Sequence, residues 1–476
     1  MPKSIQQNLL LLILCSSLII LPQLSYISGH TSFFDLGLFS NTFFNLNSFQ
    51  EFQRIFIGHF SPIILIHSFL YFIGGIQLVL LSQSLVIVLS ILIWYRKFGF
   101  LIALIGALSF PVWFNTLFDF HVDHLAVLIF TLFFVYVNDR AYHKAAIVLF
   151  FAPLVKEIYA IQAIFALLYL VFITHNEEII NKKKLIIVLG AITFFLSVFS
   201  IIDTIFWKEF LFFKPDIYIS NKEINFLDHF SLIDLPNKLK YIVLIFLSFL
   251  FLPLYSPLAL IITIPLLMLV IFSAINNYYG IGHHYSAGFI APMVYASYKT
   301  INKINFSKKF LFVVLLVHVL YSPSPISRFF FTNKIWGYGH EHYLESTRTK
   351  KIKSIITDTI KNKKGMVVST QNTLNFEPIV NRKVSLVYPQ GVFEPITYIN
   401  YQPNSAGFLD TMEIEADIVL IDLKRPIYML DKGCDWQYGS CRDKSFEENF
   451  MKDFDKLLKD FYILESYDEF YVFKRK

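Results

Sequence analysis

Five short polar islands interrupt an otherwise apolar chain. They are Phe33-Phe34-Asp35-Leu36-Gly37, Gly58-His59-Phe60-Ser61-Pro62, Asp119-Phe120-His121-Val122-Asp123-His124, Lys156-Glu157 and His283-His284-Tyr285. Ionisable groups at membrane depth are costly and usually functional. Asp35 beside a membrane surface has the chemistry of a general base toward a sugar hydroxyl or an amine. The structural alternative is a helix-start Asp facing the helix dipole. His59 can donate to a phosphate or shuttle a proton, or simply cap a helix. Lys156 can hold a phosphate as a point charge, with Glu157 paired to it or holding a hydroxyl. The alternative is an interfacial ion pair whose Lys snorkels.

Asp119, His121, Asp123 and His124 form the densest cluster. Alternating Asp and His suit a divalent metal. At helical spacing, however, Asp119/Asp123 and His121/His124 form two neighbouring rows rather than one convergent site. That favours phosphate or sugar binding, or a hydrogen-bonded network. No metal ligands are assigned, no cofactor is certain, and a divalent metal stays open. Adjacent His283 and His284 point in different directions, so at most one serves the same site. Tyr285 and the preceding Asn276-Asn277-Tyr278-Tyr279 offer a polar aromatic surface suited to carbohydrate stacking. The chain has no Gly-rich nucleotide loop, nucleophile elbow or HExxH, which argues against ATP-driven transport and the standard hydrolases.

The elements that must position these residues are membrane spans. The chain has 476 residues, 55% hydrophobic and 16% charged, with a mean hydropathy of +0.55. That is too apolar for a soluble domain of this length. Apolar runs lie at 9–27, 76–95, 99–116, 125–137, 145–156, 158–174, 185–206, 240–255, 257–275, 285–299 and 309–322. They predict about eleven transmembrane helices. Lys3, Arg96-Lys97, Arg140/Lys144, Lys182-Lys183-Lys184 and Lys299/Lys303/Lys308/Lys309 fall on one side, which the positive-inside rule makes cytoplasmic. All five islands then lie on the outer side. Leu21-Pro22-Gln23-Leu24-Ser25 offers no small-residue cleavage site, so the first span is read as uncleaved, with a cytoplasmic N-terminus. The expected location is the plasma (inner) membrane, multi-pass.

The first outer loop, 28–58, carries Phe34, Leu38, Phe39, Phe43 and Phe44 at helical spacing. This predicts an amphipathic helix in the interface plane. Residues 61–73, ended by Gly74-Gly75, are too short to span and predict a second juxtamembrane helix. From about 329 the composition becomes that of a soluble α/β domain. Its predicted helices are 341–362 and 446–460, the latter with a capping box at Ser445 and Glu448. Strands are predicted at 366–368, 384–388 and 416–422, and a hairpin near 462–473. The expected division is a transmembrane domain over 1–328 and a soluble domain over 329–476. An odd number of spans places the latter outside the cytoplasm, where Cys434 and Cys441 are disulfide candidates. Cys15 is a lone thiol in the first span. The net charge of +6 sits in short loops, so it reports topology rather than nucleic-acid binding.

At the islands the chain resembles the domain-of-unknown-function 2079 (DUF2079) family of polytopic membrane proteins. The matching pieces are Phe34-Asp35-Leu36-Gly37-Leu38-Phe39, His59-Phe60-Ser61-Pro62, Phe118-Asp119-Phe120-His121, Leu154-Val155-Lys156-Glu157, His284-Tyr285-Ser286 and Ala416-Asp417-Ile418-Val419-Leu420-Ile421-Asp422-Leu423. That family in turn resembles the GT-C glycosyltransferases, which use polyprenyl-phosphate-linked sugars on the non-cytoplasmic face. The resemblance implies a GT-C-like membrane domain with two juxtamembrane helices in its first outer loop. It implies a lipid-phosphate sugar donor and a glycan, lipid or protein acceptor. It places Asp35 at the family's catalytic acid, although the paired-acid form of that motif is absent, because Leu36 and Gly37 follow. Lys156 and His59 would hold the donor phosphate, and Asp119, His121 and Glu157 the sugar hydroxyls. His284 and Tyr285 would complete the substrate surface. A transporter or flippase of a lipid-linked or small polar substrate, or a non-catalytic scaffold, are the alternatives. The first would require polar residues through both faces; here they gather on one.

Overall fold

The computed structural model describes residues 3–31, 60–174, 183–205, 234–273, 276–304, 308–332, 338–361, 368–370, 384–387, 416–422 and 457–476, with isolated residues between them. They fall into two compact units. The first comprises Met1–Pro22, Phe56–Lys214 and Ile224–Phe331; the second comprises Gln23–Ile55, Pro215–Glu223 and Thr332–Lys476.

The first unit is helical. Its elements are α1 (Lys3–Ile27, continuing into the second unit), α2 (Ile64–Phe98), α3 (Phe100–Leu108), α4 (Phe110–Leu117), α5 (His124–Asn138), α6 (Tyr142–Leu149) and α7 (Glu157–Thr174). They continue with α8 (Lys183–Ile205), α9 (Leu235–Ser248), α10 (Pro257–Leu260), α11 (Ile264–Phe272), α12 (Ala287–Ile301), α13 (Leu311–Tyr321) and α14 (Arg328–Thr332). Among the described residues, three helices are long and apolar enough to cross a membrane: Ile5–Ile27, Ile64–Phe98 and Glu157–Thr174. The bent pair α3–α4 makes a fourth if counted as one span. Several predicted spans are interrupted. The 240–255 segment is α9 plus a 3-10 turn at Leu252–Tyr255, and 257–275 is α10, another 3-10 turn and α11. Pro253, Pro257 and Pro265 each open one of these pieces, where a missing N–H does no harm.

The predicted break at Gly74-Gly75 is present inside α2. Gly75 takes φ +63° and ψ −161°, non-helical values that a side chain would strain. Residues 64–73 are therefore a separate helical piece leading into a long span. The predicted span 99–116 is bent by 57° between α3 and α4. The bend frees the last carbonyls of α3, and in an apolar medium each needs a new donor. Ser109 Oγ donates to Gly106 O at 2.7 Å, Trp113 Nε1 to Ala107 O at 2.8 Å and His318 Nδ1 to Leu108 O at 2.6 Å. Gly106 also admits Trp94, whose ring would lie 2.8 Å from a Cβ at that position.

The second unit holds α15 (Thr347–Ile360), capped by Ser346, whose Oγ accepts from Thr349 N at 3.0 Å. Among the described residues, five strands form one sheet in the order β2-β1-β3-β5-β4: β1 (Val368–Thr370), β2 (Val384–Val387), β3 (Ile418–Asp422), β4 (Phe461–Tyr467) and β5 (Phe470–Arg475). β1 runs parallel to β2 and β3, while β5 runs antiparallel to β3 and β4. β3 lies between two neighbours and is buried at every residue, which explains its unbroken apolar run. The predicted hairpin is present, turning on Asp468 and Glu469, both at positive φ, as a two-residue turn requires. Ile352, Ile355, Ile356 and Ile360 pack one face of α15 onto Val368, Ile418, Leu420, Phe470 and Val472. Each such side chain contributes about 2 kcal/mol of burial. Arg348 of the same helix grips the buried Asp422 at 2.7 and 2.8 Å. It also bonds Asp468 at 2.8 Å. The predicted helix at 446–460 is described only at its end, and its capping box lies outside the described residues. So do Cys434, Cys441 and most of the first outer loop. Within that loop Leu36, Phe39 and Phe43 are described and buried.

Candidate functional site

Three helices of the first unit start at one place. Asp123 immediately precedes α5, Lys156 precedes α7, and the 3-10 turn His284–Ser286 precedes α12. Helix N-termini carry partial positive charge and unpaired N–H groups. Three of them together favour an anion.

Asp123 is the hub. Asp at this position normally caps its own helix, yet its side chain makes no capping bond. Its Oδ1 accepts from the Tyr159 hydroxyl at 2.6 Å and lies 4.0 Å from Lys156 Nζ. Its Oδ2 lies 3.8 Å from His121 Nδ1 and 3.6 Å from His284 Nε2. The His121 and His284 rings stack, with centroids 3.5 Å apart. Lys156 is buried and sits 5.3 Å over the Tyr285 ring. A buried ammonium at the positive end of a helix is unfavourable without nearby negative charge, and Asp123 supplies it. Tyr285 also packs on Tyr278 and His284, with centroids at 4.5 and 4.2 Å.

The sequence reading of two separate rows at 119–124 is corrected here, because that stretch is not helical. Phe118 is extended (ψ 145°), and α5 begins only at His124. Gln83, buried in α2, holds the turn. Its Nε2 donates to the carbonyls of Thr116, Phe118 and Asp119 at 3.2, 3.1 and 3.3 Å, and its Oε1 accepts from His121 N at 3.1 Å. His121 and Asp123 thereby converge with His284. His124 turns the other way: its Nδ1 bonds the His121 carbonyl and its ring meets His67 at 5.3 Å. Asp119 is half-buried on the same turn, and Glu157 is half-buried in the first turn of α7. His283 faces Phe118 at 5.8 Å. His59 and Asp35 lie outside the described residues.

The partners that sequence reasoning missed are Gln83, Tyr159 and the central role of Asp123. Two further polar side chains fix the helices that carry the site. Asn115 Nδ2 donates to Ser286 Oγ at 2.9 Å. Gln162 Nε2 donates to Ile262 O and Gly288 O at 3.0 and 3.2 Å. Gly288 must be glycine, because a Cβ there would lie 2.3 Å from Gln162 Oε1. Gln83→Leu is expected to lower stability by about 3 kcal/mol, since three carbonyls and one N–H lose their partner. Gln83→Glu is expected to be worse, because it sets a carboxylate oxygen against those carbonyls. Thermal unfolding in detergent checks both the loss and the order.

A family model described as "Predicted membrane protein (DUF2079)" matches residues 30–409. No curated protein matches the sequence. Among solved structures, the crystal structure of ArnT from Cupriavidus metallidurans bound to undecaprenyl phosphate is similar, with a TM-score of 0.51 and 11% identity. The match covers 99% of this chain and 97% of that one. At that identity the likeness is one of fold.

Proposed function

The chain belongs to the DUF2079 family of predicted membrane proteins, and from that premise we propose that it is a GT-C-like membrane glycosyltransferase. It moves a sugar from a polyprenyl-phosphate carrier to a glycan, lipid or protein acceptor on the non-cytoplasmic face. The observation that carries this reading is Lys156, a buried cation where three helix N-termini meet. Such a place suits a phosphate held at the edge of an apolar phase. The fold likeness to a protein crystallised with undecaprenyl phosphate supports the choice of lipid. The full architecture in this reading has about eleven spans, two juxtamembrane helices, a membrane domain over 1–328 and an outer soluble domain over 329–476.

In the proposed reaction Asp35 takes the proton of the acceptor hydroxyl or amine. The acceptor attacks the anomeric carbon, the bond to the carrier phosphate breaks, and configuration inverts. Lys156 and His59 stabilise the charge left on the phosphate. Asp119, His121 and Glu157 hold sugar hydroxyls, and His284 and Tyr285 line the sugar face. The test uses membranes containing the full chain, supplied with a panel of polyprenyl-phosphate-linked hexoses and pentoses. Asp35→Asn is expected to lower transfer by about 1,000-fold, within the range of general-base catalysis, and to leave lipid-phosphate binding unchanged. Transfer at the wild-type rate removes Asp35 from the reaction.

A further inference from the structure

We propose that His121, Asp123 and His284 hold one divalent transition-metal ion, of the zinc type. The ligand atoms are His121 Nδ1, Asp123 Oδ2 and His284 Nε2, all within 4.8 Å of one another. The two imidazole-to-carboxylate distances, 3.8 and 3.6 Å, are too long for hydrogen bonds. They are close to the edge of a tetrahedron built on zinc–nitrogen and zinc–oxygen bonds of about 2.1 Å, which is about 3.4 Å. A shared ion accounts for an approach at these distances.

A second observation points into the same space. Asp123 Oδ2 is buried and accepts no hydrogen bond among the described residues. The whole side chain is only 2% exposed. Its other oxygen is already fixed by Tyr159 at 2.6 Å, so Oδ2 is aimed at the two histidines. A hydrogen bond that orients a ligating carboxylate from behind is characteristic of metal sites. Lys156 Nζ lies 4.0 Å from the other oxygen, Oδ1. The ligand types, two imidazoles and one carboxylate, select zinc-like ions over magnesium or calcium. Each metal–nitrogen bond lies in its ring plane, so the stacked His121 and His284 rings must splay as the ion enters. Three protein ligands leave a fourth position for an exogenous oxygen. On the phosphate-donor reading that oxygen belongs to a phosphate, shared between the ion and Lys156. This last step rests on that reading, while the metal site does not.

The test is a titration of chelator-stripped, full-length protein in detergent with Co²⁺, followed by displacement with Zn²⁺. The expected result is one equivalent with the absorption of a low-symmetry tetrahedral ion. Asp123→Asn and His284→Gln are each expected to weaken binding by about 100-fold or more, beyond the effect of losing an outer-shell partner. His67→Gln, outside the ligand set, is expected to bind as wild type. Because Asp123 variants lose stability, the wild-type protein alone also decides: Zn²⁺ must raise its unfolding temperature. Substoichiometric binding by the wild type overturns the site, as does one equivalent retained in both ligand variants. Undecaprenyl phosphate binding measured on the same stripped protein separates the two ideas. Lipid binding without metal binding overturns the metal site alone. Metal binding without lipid binding overturns the donor reading alone.

Discussion

Lys156→Ala is expected to weaken binding of undecaprenyl phosphate by about 100-fold or more, as truncating one partner of a buried charge pair does. The argument rests on where the ammonium is held. It is buried, 4.0 Å from one carboxylate oxygen and over an aromatic face. There its attraction for an anion is far less screened than at a surface. The helix N-termini around it add partial positive charge but no mobile group. Removing Lys156 also leaves the Asp123 charge facing the site, so the phosphate meets repulsion as well as a missing partner. Lys156→Arg keeps the charge but brings a planar, larger head into a buried space, and is expected to retain part of the affinity. Titration by native mass spectrometry, with undecaprenol as the uncharged comparison, reads the effect. Equal affinity of wild type and Lys156→Ala for the phosphate would remove Lys156 from the donor site.

Asp123→Ala is expected to destabilise the helical unit by about 3–5 kcal/mol, the range for breaking a buried ion pair by removing one partner. Two groups lose their acceptor or counter-charge together: the Tyr159 hydroxyl and Lys156. Asp123→Asn keeps an acceptor for Tyr159 but removes the charge, so a smaller loss is expected. Unfolding temperature in one detergent, with Lys156→Ala and the double variant completing a cycle, separates the charge pairing from the loss of volume. If Asp123→Ala unfolds with the wild type, the carboxylate is not what allows Lys156 to stay buried.

The sequence made the polar islands legible because ionisable residues stand out against apolar runs. Lys156, His121 and His284 were each visible that way, and the structure brings these three to within reach of one carboxylate. The break at Gly74-Gly75 and the hairpin at 461–475 were also legible, from glycine conformation and from alternation. The convergence itself was not. It depends on a turn at 118–123 held open by Gln83, which is 33 to 38 residues away in sequence. Periodicity over the local stretch therefore gave helical rows and hid the meeting of His121 with Asp123. Gln83 carried a signal, an amide between Ser82 and Ser84 inside an apolar span. Its partners are backbone groups, though, and backbone acceptors leave no mark on composition. The interrupted spans were masked for a related reason. Ser109, Trp113 and His318 satisfy the carbonyls at the α3–α4 bend, so the apolar run continues across a break in the helix. Arg348 and Asp422 of the second unit, 74 residues apart, are a third case in which a long-range pair has no local pattern.

The most direct test of the central claim is binding of undecaprenyl phosphate against undecaprenol by the purified wild-type protein in detergent. The account predicts saturable binding of the phosphate, little binding of the alcohol, and loss of the difference in Lys156→Ala. Equal binding of phosphate and alcohol, or of neither, contradicts a lipid-phosphate site at Lys156 and with it the proposed glycosyl transfer.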